Sequence, residues 1–137
     1  MSRSSTDRLV CYFDGACPGN QYASKGPMKA AYVIGEREVV RHVPDLETAE
    51  GSLRTNNIAE YHALIWLLED LVKSRTKAPV RICGDSELVV YQMTGGYRVR
   101  QPHLVPLHAR ARSLAAHLDA EFRAVPREKN PAGRLLE

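Results

Sequence analysis

Three acidic residues stand where predicted strands end or a predicted helix begins. Asp14 follows the apolar run of residues 9–13, and Asp85 follows the apolar run of residues 80–83. Glu60 lies in the first turn of a long predicted helix, on a face that borders its apolar stripe. If the two strands are neighbours, their acids lie side by side, and Glu60 points towards the same sheet. We therefore expect the three carboxylates to meet in one cleft.

Carboxylates held close together in a partly desolvated cleft repel one another strongly unless cations neutralise them. A set of oxygen ligands alone is what Mg²⁺ or Mn²⁺ prefers, and it disfavours zinc. Acid clusters with arginines nearby are typical of metal-assisted phosphodiester cleavage, in which two ions bind the attacking and leaving oxygens. The residue types therefore indicate a site for divalent metal ions that acts on phosphodiesters.

Each acid also has a purely structural interpretation, which the sequence leaves open. Asn57 and Glu60 have the spacing of a capping box, with Asn57 as the N-cap of the long helix. Asp85 or Ser86 is an ordinary N-cap for the helix that follows. Asp14 precedes a glycine, a pair that is common in turns.

Apolar periodicity predicts an α/β protein with a mixed sheet and helices packed on it. The predicted strands are residues 9–13, 30–34, 38–43, 80–83 and 121–125. The predicted helices are a long helix with Glu60 in its first turn and an apolar stripe over residues 61–72, and shorter helices at residues 86–93 and 104–118, with a helical turn that begins at residue 130. Residues 1–7 are predicted to be a flexible tail, and residues 44–54 an irregular acidic connection. We expect residues 1–137 to form a single domain.

Composition excludes several classes of protein. The 137 residues are 44% hydrophobic and 26% charged, which is ordinary for a globular domain and excludes whole-chain disorder, collagen and coiled coil. Cys11, Cys17 and Cys83 are too few for a disulfide framework and do not fit a zinc-binding spacing. No apolar run approaches the roughly 18 residues of a membrane-spanning helix. We expect a cytoplasmic protein that does not contact membranes and is monomeric.

The basic residues are clustered rather than spread evenly. The net charge is only +3, but residues 98–112 contain Arg98, Arg100, Arg110 and Arg112 without a single acid. Such clustering is typical of a surface that contacts a phosphate backbone. The alternative is that these side chains merely solvate one face of a helix.

Three segments closely resemble the motifs of type 1 ribonuclease H: residues 14–20 (DGACPGN), 55–64 (TNNIAEYHAL) and 85–93 (DSELVVYQM). Residues 96–100 and 125–130 are similar to the compact bacterial and archaeal members, which lack a large basic handle. The resemblance runs from about residue 9 to residue 136. It implies a ribonuclease H-like fold, with a five-stranded mixed sheet in the order 3-2-1-4-5. It also implies hydrolysis of the RNA strand of RNA–DNA hybrids.

The resemblance further implies roles for individual residues. Asp14 would be shared by two ions, Mg²⁺ or Mn²⁺, while Glu60 and Asp85 would complete the site near the leaving 3′ oxygen. Amide side chains both donate and accept hydrogen bonds, and so can recognise the 2′-hydroxyls of RNA. The residues expected to contact the hybrid are Gly15, Ala16, Asn20, Asn56, Asn57, Ser86, Gln92, Arg127 and Lys129.

The sequence departs from the family pattern at its C-terminal end. The family's fourth carboxylate is absent, and either Gly133 or Arg134 stands in its place. Glu137, one helical turn after Gly133, or Glu128 could substitute for it. Otherwise the substrate phosphate, Asp14 and water complete the metal shell. The loop after Asp14 also lacks the usual Asn-Pro-Gly.

Two alternative functions stay open at this point. The missing acid is compatible with a ribonuclease H-like module that binds nucleic acid and cleaves it weakly or not at all. The other is a different nuclease of the wider superfamily, such as a proofreading exonuclease or a resolvase. The exonuclease is disfavoured, because those enzymes usually carry Asp-x-Glu on the first strand. This chain has Asp14-Gly15-Ala16 there instead.

Overall fold

The structure of the protein is a computed structural model that describes residues 8–19 and 26–137. Its strands are β1 (Leu9–Ala16), β2 (Met28–Ile34), β3 (Arg37–Val43), β4 (Leu46–Thr48), β5 (Gly51–Leu53), β6 (Val80–Gly84) and β7 (Ala120–Ala124). Its α-helices are α1 (Asn56–Lys73), α2 (Glu87–Thr94), α3 (Val105–Ala115) and α4 (Pro131–Arg134). Short 3₁₀ turns occupy Pro102–Leu104 and Arg127–Lys129. The predicted tail, residues 1–7, lies outside the described residues, and the single-domain boundary stays a prediction.

Within the described ranges, five strands form one mixed sheet in the order β3-β2-β1-β6-β7. The pairs β1–β2 and β2–β3 are antiparallel, whereas β1–β6 and β6–β7 are parallel. When the strands of this sheet are counted along the chain, the order is 3-2-1-4-5. The predicted fold class and strand order are therefore confirmed.

The main core lies between α1 and the sheet. The apolar stripe of α1 is completely buried at Ile58, Tyr61, Leu64, Leu67 and Leu68, as its period of three and four residues requires. Cys11 and Phe13 of β1 meet this stripe from the sheet. α3 packs beside α1, whereas α4 covers the opposite face of β1 and β2. β1 is thus buried on both faces, which explains its nearly continuous apolar sequence.

The structure corrects three of the predicted boundaries. β1 continues to Ala16, because β2 pairs with residues 14–16 of β1, so Asp14 lies inside the strand and not after it. The segment predicted as irregular, residues 44–54, contains the small hairpin of β4 and β5. The third helix ends at Ala115, and residues 116–118 form a turn.

None of the helices in the described ranges combines the length and apolar character that crossing a membrane requires.

Candidate active site

Asp14, Glu60 and Asp85 converge at one end of the parallel strand pair. Each contributes a carboxylate oxygen, and these oxygens lie within 4.8 Å of one another. Phe13 of β1 pairs with Gly84 of β6, so the next residue of each chain segment is an acid of the cluster. Glu60 approaches from the first turns of α1. The predicted meeting of the three carboxylates is therefore confirmed.

The contact between β1 and α1 depends on Gly15. A Cβ atom at this position would lie 2.2 Å from the carbonyl carbon of Ala59 and 2.3 Å from the backbone nitrogen of Glu60. Only glycine allows the two backbones to approach this closely. A backbone hydrogen bond from Gly15 also reaches the carboxyl groups of Asp14 and Glu60. Gly15 therefore allows Asp14 of β1 and Glu60 of α1 to lie side by side, and its backbone provides a hydrogen bond to their carboxyl groups.

The environment of Glu60 favours a proton on its carboxyl group. Glu60 is only 6% exposed and Asp14 only 4%. Burial raises the pKa of Glu60 well above its ordinary value, and the hydrogen bond and charge of Asp14 raise it further. Burial also raises the pKa of Asp14, while the hydrogen bond with Glu60 opposes that rise. We interpret the pair as a protonated Glu60 that donates to the Asp14 carboxylate.

The donor set fits a divalent cation of the Mg²⁺ type. Among the described residues, the buried Oε2 atom of Glu60 has no hydrogen-bond partner. Buried carboxylate oxygens are rarely left unpaired, and a cation would satisfy this one. All three ligand groups offer oxygen, which is the preference of Mg²⁺ and Mn²⁺.

Asp85 is held by an amide that the sequence analysis did not identify as part of the site. Asn130 Nδ2 donates to Asp85 Oδ2 and to the carbonyl oxygen of Phe13, both at 2.9 Å. Its Oδ1 accepts from the backbone N–H of Ala132 at 3.1 Å, which caps α4. The Asn-Pro pair did predict a helix start at residue 130. The contact with Asp85 spans 45 positions and left no local signal.

The start of α1 differs from the predicted capping box. Thr55 is the N-cap, and its Oγ1 accepts from the backbone N–H of Ile58 at 3.1 Å. The assignment of Asn57 as N-cap, paired with Glu60, is therefore wrong, because Thr55 provides the same chemistry earlier in the chain and Glu60 turns to Asp14. Asn56 Oδ1 accepts from the backbone N–H of Cys17 at 2.8 Å. Asn56 thus ties the segment after β1 to the helix that carries Glu60.

Ser86 and Gln92 both have structural partners, on α2 and on α1 respectively. Ser86, and not Asp85, is the N-cap of α2, where it accepts from the backbone N–H of Val89 at 3.3 Å. Gln92 is 3% exposed, and its Oε1 accepts from the hydroxyl of Tyr61. Gln92 also lines a cavity of about 440 Å³ together with Arg98 and Arg100. Contact of Gln92 with a hybrid stays a prediction.

The other predicted contact residues surround the acid cluster unequally. Gly15 is buried in the contact with α1, and Ala16 ends β1 half-buried. Arg127 and Lys129 are exposed on the turn after β7, and the charge of Arg127 partly opposes the rise in the pKa of Asp14 that burial causes. Asn20 lies outside the described residues. Contact of these residues with a hybrid stays a prediction.

The structure distinguishes the two positions offered for the missing fourth acid. A Cβ atom at Gly133 would lie 3.2 Å from Asp14 Oδ2, so Gly133 faces the cluster. Arg134 is exposed and donates to the carbonyl oxygen of Glu128 at 3.4 Å. Glu128 and Glu137 are also exposed, and in the described part of the chain neither joins the acids grouped around Asp14.

Comparison with known proteins identifies the family. The sequence model of the RNase H family matches residues 6–123. The chain belongs to the RNase H family. It is 35% identical over 125 residues to the bifunctional protein Rv2228c of Mycobacterium tuberculosis, covering 90% of this chain and 32% of that protein. It is 35% identical over 136 residues to ribonuclease HI of Halobacterium salinarum, covering 94% of this chain and 62% of that protein. The chain thus spans about a third of the first relative and under two thirds of the second.

Solved RNase H1 structures share the fold over nearly the whole chain. RNase H1 of Halobacterium salinarum superposes with a TM-score of 0.75 at 33% identity, covering 94% of this chain and 93% of that one. LC11-RNase H1, isolated from compost, gives a TM-score of 0.77 at 33% identity, covering 95% and 92%. LC11-RNase H1 in complex with an RNA/DNA hybrid gives 0.75 at 29% identity, covering 95% and 100%. The predicted resemblance to type 1 ribonuclease H is confirmed.

The raised pKa of Glu60 predicts how the stability of this RNase H domain depends on pH. A carboxyl group whose pKa is raised by folding binds its proton more tightly in the folded state. Stability is therefore lost as the pH rises from the ordinary pKa of Glu towards the raised value. Glu60→Gln removes this loss and keeps a donor for Asp14. In metal-free buffer at pH 7 we expect its free energy of unfolding to exceed that of the wild type by about 1 kcal/mol or more.

Urea unfolding at pH 7 and at a pH below the ordinary pKa of Glu measures this effect, because the difference should vanish at the lower pH. Glu36→Gln, a change at an exposed acid in the turn between β2 and β3, is the control and should alter neither value. A Glu60→Gln variant that is less stable than the wild type at pH 7 would show that Glu60 stabilises the fold as an anion.

Proposed function

We propose that this chain is an endoribonuclease that hydrolyses the RNA strand of RNA–DNA hybrids with two divalent metal ions. The observation that carries the proposal is the group of three acids within 4.8 Å, with an unpartnered buried oxygen on Glu60, in a member of the RNase H family. The complex of LC11-RNase H1 with an RNA/DNA hybrid supports the choice of substrate. A cytoplasmic location and a monomeric state stay predictions from the sequence.

Asp14, Glu60 and Asp85 would hold the metal ions, Mg²⁺ or Mn²⁺. When bound, the ions activate the attacking water and stabilise charge on the leaving 3′ oxygen. The buried position of Asp14 and Glu60 keeps competing water away from their oxygens. Asn130 fixes one oxygen of Asp85 and leaves the other available as a ligand. The chain itself therefore provides a preformed cluster of carboxylate oxygens at the end of the parallel strand pair.

Recognition of RNA is assigned to the start of α1. Asn56 and Asn57 lie there, beside the acid cluster, at the first two positions of the helix. The Nδ2 group of Asn56 is available for a ligand because its Oδ1 is the atom that binds the Cys17 N–H. Amide groups can both donate to and accept from a 2′-hydroxyl, which DNA lacks. This placement puts amide groups that can distinguish RNA from DNA next to the acids proposed to hold the metal ions.

The basic cluster divides into two pairs with different surroundings. Arg110 forms an ion pair with Glu69 at 3.1 Å, and Arg112 donates to the carbonyl oxygen of Met93 at 3.3 Å. Arg98 and Arg100 are exposed beside the Gln92 cavity and make no ion pair within the described ranges. We therefore assign contact with the nucleic-acid backbone to Arg98 and Arg100.

A second candidate function is a module that binds the hybrid without efficient cleavage. It is favoured by one observation: Gly133 faces Asp14 where the family has its fourth carboxylate. An ion on that side would lack a negative ligand and bind more weakly. The experiments below distinguish the two functions.

The three acids should be essential for cleavage but not for folding. We expect each of the variants Asp14→Asn, Glu60→Gln and Asp85→Asn to cleave a labelled hybrid much more slowly than the wild type. Loss of a residue that only supports a metal ligand typically costs about 10–100-fold, and the loss of activity here should be larger. Each variant should melt no lower than the wild type in metal-free buffer. Asp14→Asn and Asp85→Asn remove a repulsive charge, and Glu60→Gln removes a carboxyl group whose raised pKa costs stability at pH 7. Single-stranded RNA, duplex RNA and duplex DNA are the comparison substrates, and Glu36→Gln is the control variant.

A wild-type protein that binds the hybrid but does not cut it in Mg²⁺ or Mn²⁺ would establish the binding module. If a variant of Asp14, Glu60 or Asp85 cleaves the hybrid at the wild-type rate, the substituted acid is not a metal ligand.

Restoring a carboxylate at position 133 should lower the metal requirement. We expect Gly133→Asp to reduce the metal concentration for half-maximal cleavage by about tenfold, since it adds a charged ligand next to Asp14. In the wild type Mn²⁺ should outperform Mg²⁺, which demands more regular geometry. Arg134→Asp is the matched control, because residue 134 faces away from the cluster, and it should leave the metal requirement unchanged.

Metal titrations of hybrid cleavage measure these effects, with Glu137→Gln and Glu128→Gln alongside. If Arg134→Asp, and not Gly133→Asp, lowers the requirement, residue 134 is the equivalent position. A higher requirement in Glu137→Gln or Glu128→Gln would identify that acid as the substitute ligand.

Hybrid binding should depend strongly on salt, and Arg98 and Arg100 should account for part of that dependence. Each phosphate contact contributes a log–log slope of about −0.9 in B-form DNA, so replacing both arginines by alanine should flatten the slope by about one to two units. Arg110→Ala is the control, since this arginine already has Glu69 as its partner. Fluorescence anisotropy across a salt series measures the slopes. Equal slopes for the double variant and the wild type would mean that Arg98 and Arg100 only solvate the surface.

A further inference from the structure

Asn130 is a buried amide whose polar groups are all used by three separate segments. It is 1% exposed, and it lies between the turn after β7 and the start of α4. One proton donor of Nδ2 goes to Asp85 and the other to the carbonyl oxygen of Phe13. Its Oδ1 accepts from Ala132. These three bonds leave the side chain a single orientation.

The two groups that Asn130 joins lie where the parallel pairing of β1 and β6 ends. Phe13 precedes Asp14 on β1, and Asp85 follows the last residue of β6. The amide therefore bridges the positions from which two of the three cluster acids emerge. Asp85 has no other side-chain hydrogen bond within the described ranges, so Asn130 alone sets the orientation of its carboxylate.

The cap of α4 connects the same amide to Asp14. α4 carries Gly133, whose Cα lies so close to Asp14 that a Cβ would be 3.2 Å from Oδ2. By capping α4 at Ala132, Asn130 fixes how this helix sits against the cluster. The C-terminal segment has no carboxylate at position 133, so its direct contribution to the cluster is the side-chain amide of Asn130.

We propose that Asn130 is the positioning residue of the metal site. It holds Asp85 Oδ2 in place so that Oδ1 is presented to the cation, and it acts through Asp85 without touching the metal. The inference rests on the proposed function, in which Asp85 is a metal ligand. Partners that hydrogen-bond a ligating carboxylate commonly determine metal affinity, with losses of about 10–100-fold when they are removed.

Two substitutions separate the contact with Asp85 from the helix cap. Asn130→Ser keeps a good N-cap for α4 but is too short to donate to Asp85. Asn130→Ala removes both the cap and the contact. Leu136→Ala is the control, since Leu136 packs against the same face of the sheet and does not contact the cluster. It should lower stability without changing metal binding.

The measurement is the dissociation constant of Mg²⁺ and of Mn²⁺, by isothermal titration calorimetry far below the melting temperature. We expect Asn130→Ser and Asn130→Ala to weaken metal binding equally, by about tenfold, although Ser is the more stable of the two. Hybrid binding in EDTA should match the wild type, and kcat at fixed metal should fall with little change in KM.

Three results would overturn the inference. Wild-type metal affinity in Asn130→Ser would show that Asn130 serves only as a cap. Weaker metal binding in Leu136→Ala, to the same degree, would show that loss of stability alone causes the effect. A wild-type protein that neither binds Mg²⁺ or Mn²⁺ nor cleaves the hybrid would overturn the proposed function and this inference together.

Discussion

The start of α1 lies directly on the backbone of β1, and the rest of the site depends on that contact. At Gly15 there is no room for a Cβ atom, which would lie 2.2 Å from the carbonyl carbon of Ala59. Because the backbones touch here, the next residue of the helix, Glu60, is buried beside Asp14. The core contacts of α1 thus impose an unfavourable pairing of two acids. The proton on Glu60 relieves that pairing in the absence of a cation.

The resemblance of three motifs to type 1 ribonuclease H implied the sheet order, and the positions of the three acids predicted their cluster. The three carboxylates are far apart in the chain, but the parallel pairing of β1 with β6 ends at Phe13 and Gly84 and so brings Asp14 and Asp85 to one place. Strand ends were less predictable. Asp14 looked like the residue after a strand, and only its pairing with Ala31 on β2 shows that the strand continues. The hairpin of β4 and β5 likewise depends on pairing between short polar segments with no apolar alternation.

Other features depend on contacts that local sequence does not encode. Asn57, with Glu60 three residues later, has the residue types of a capping box, but Thr55 caps the helix and Glu60 instead contacts Asp14. With a one-residue deletion in the C-terminal motif residue 133 corresponds to the family's fourth acid, and without it residue 134 does. The sequence does not choose between them, whereas the approach of Gly133 to Asp14 does. Asn130 looked only like a cap. Its second role appears when β1, β6 and α4 are assembled around it.

The raised pKa of Glu60 determines how a cation would bind at the cluster. Burial raises the pKa of both Asp14 and Glu60, and at Asp14 the hydrogen bond with Glu60 and the charge of Arg127 oppose that rise. A metal ligand must be deprotonated, so a cation that uses Glu60 has to displace its proton. Binding of a metal ion through Glu60 would therefore compete with protonation, and its apparent affinity would rise with pH until the pKa of Glu60 is passed. The unpartnered Oε2 atom belongs to the same carboxyl group, which would bind a cation as a charged ligand only after the proton shared with Asp14 has left.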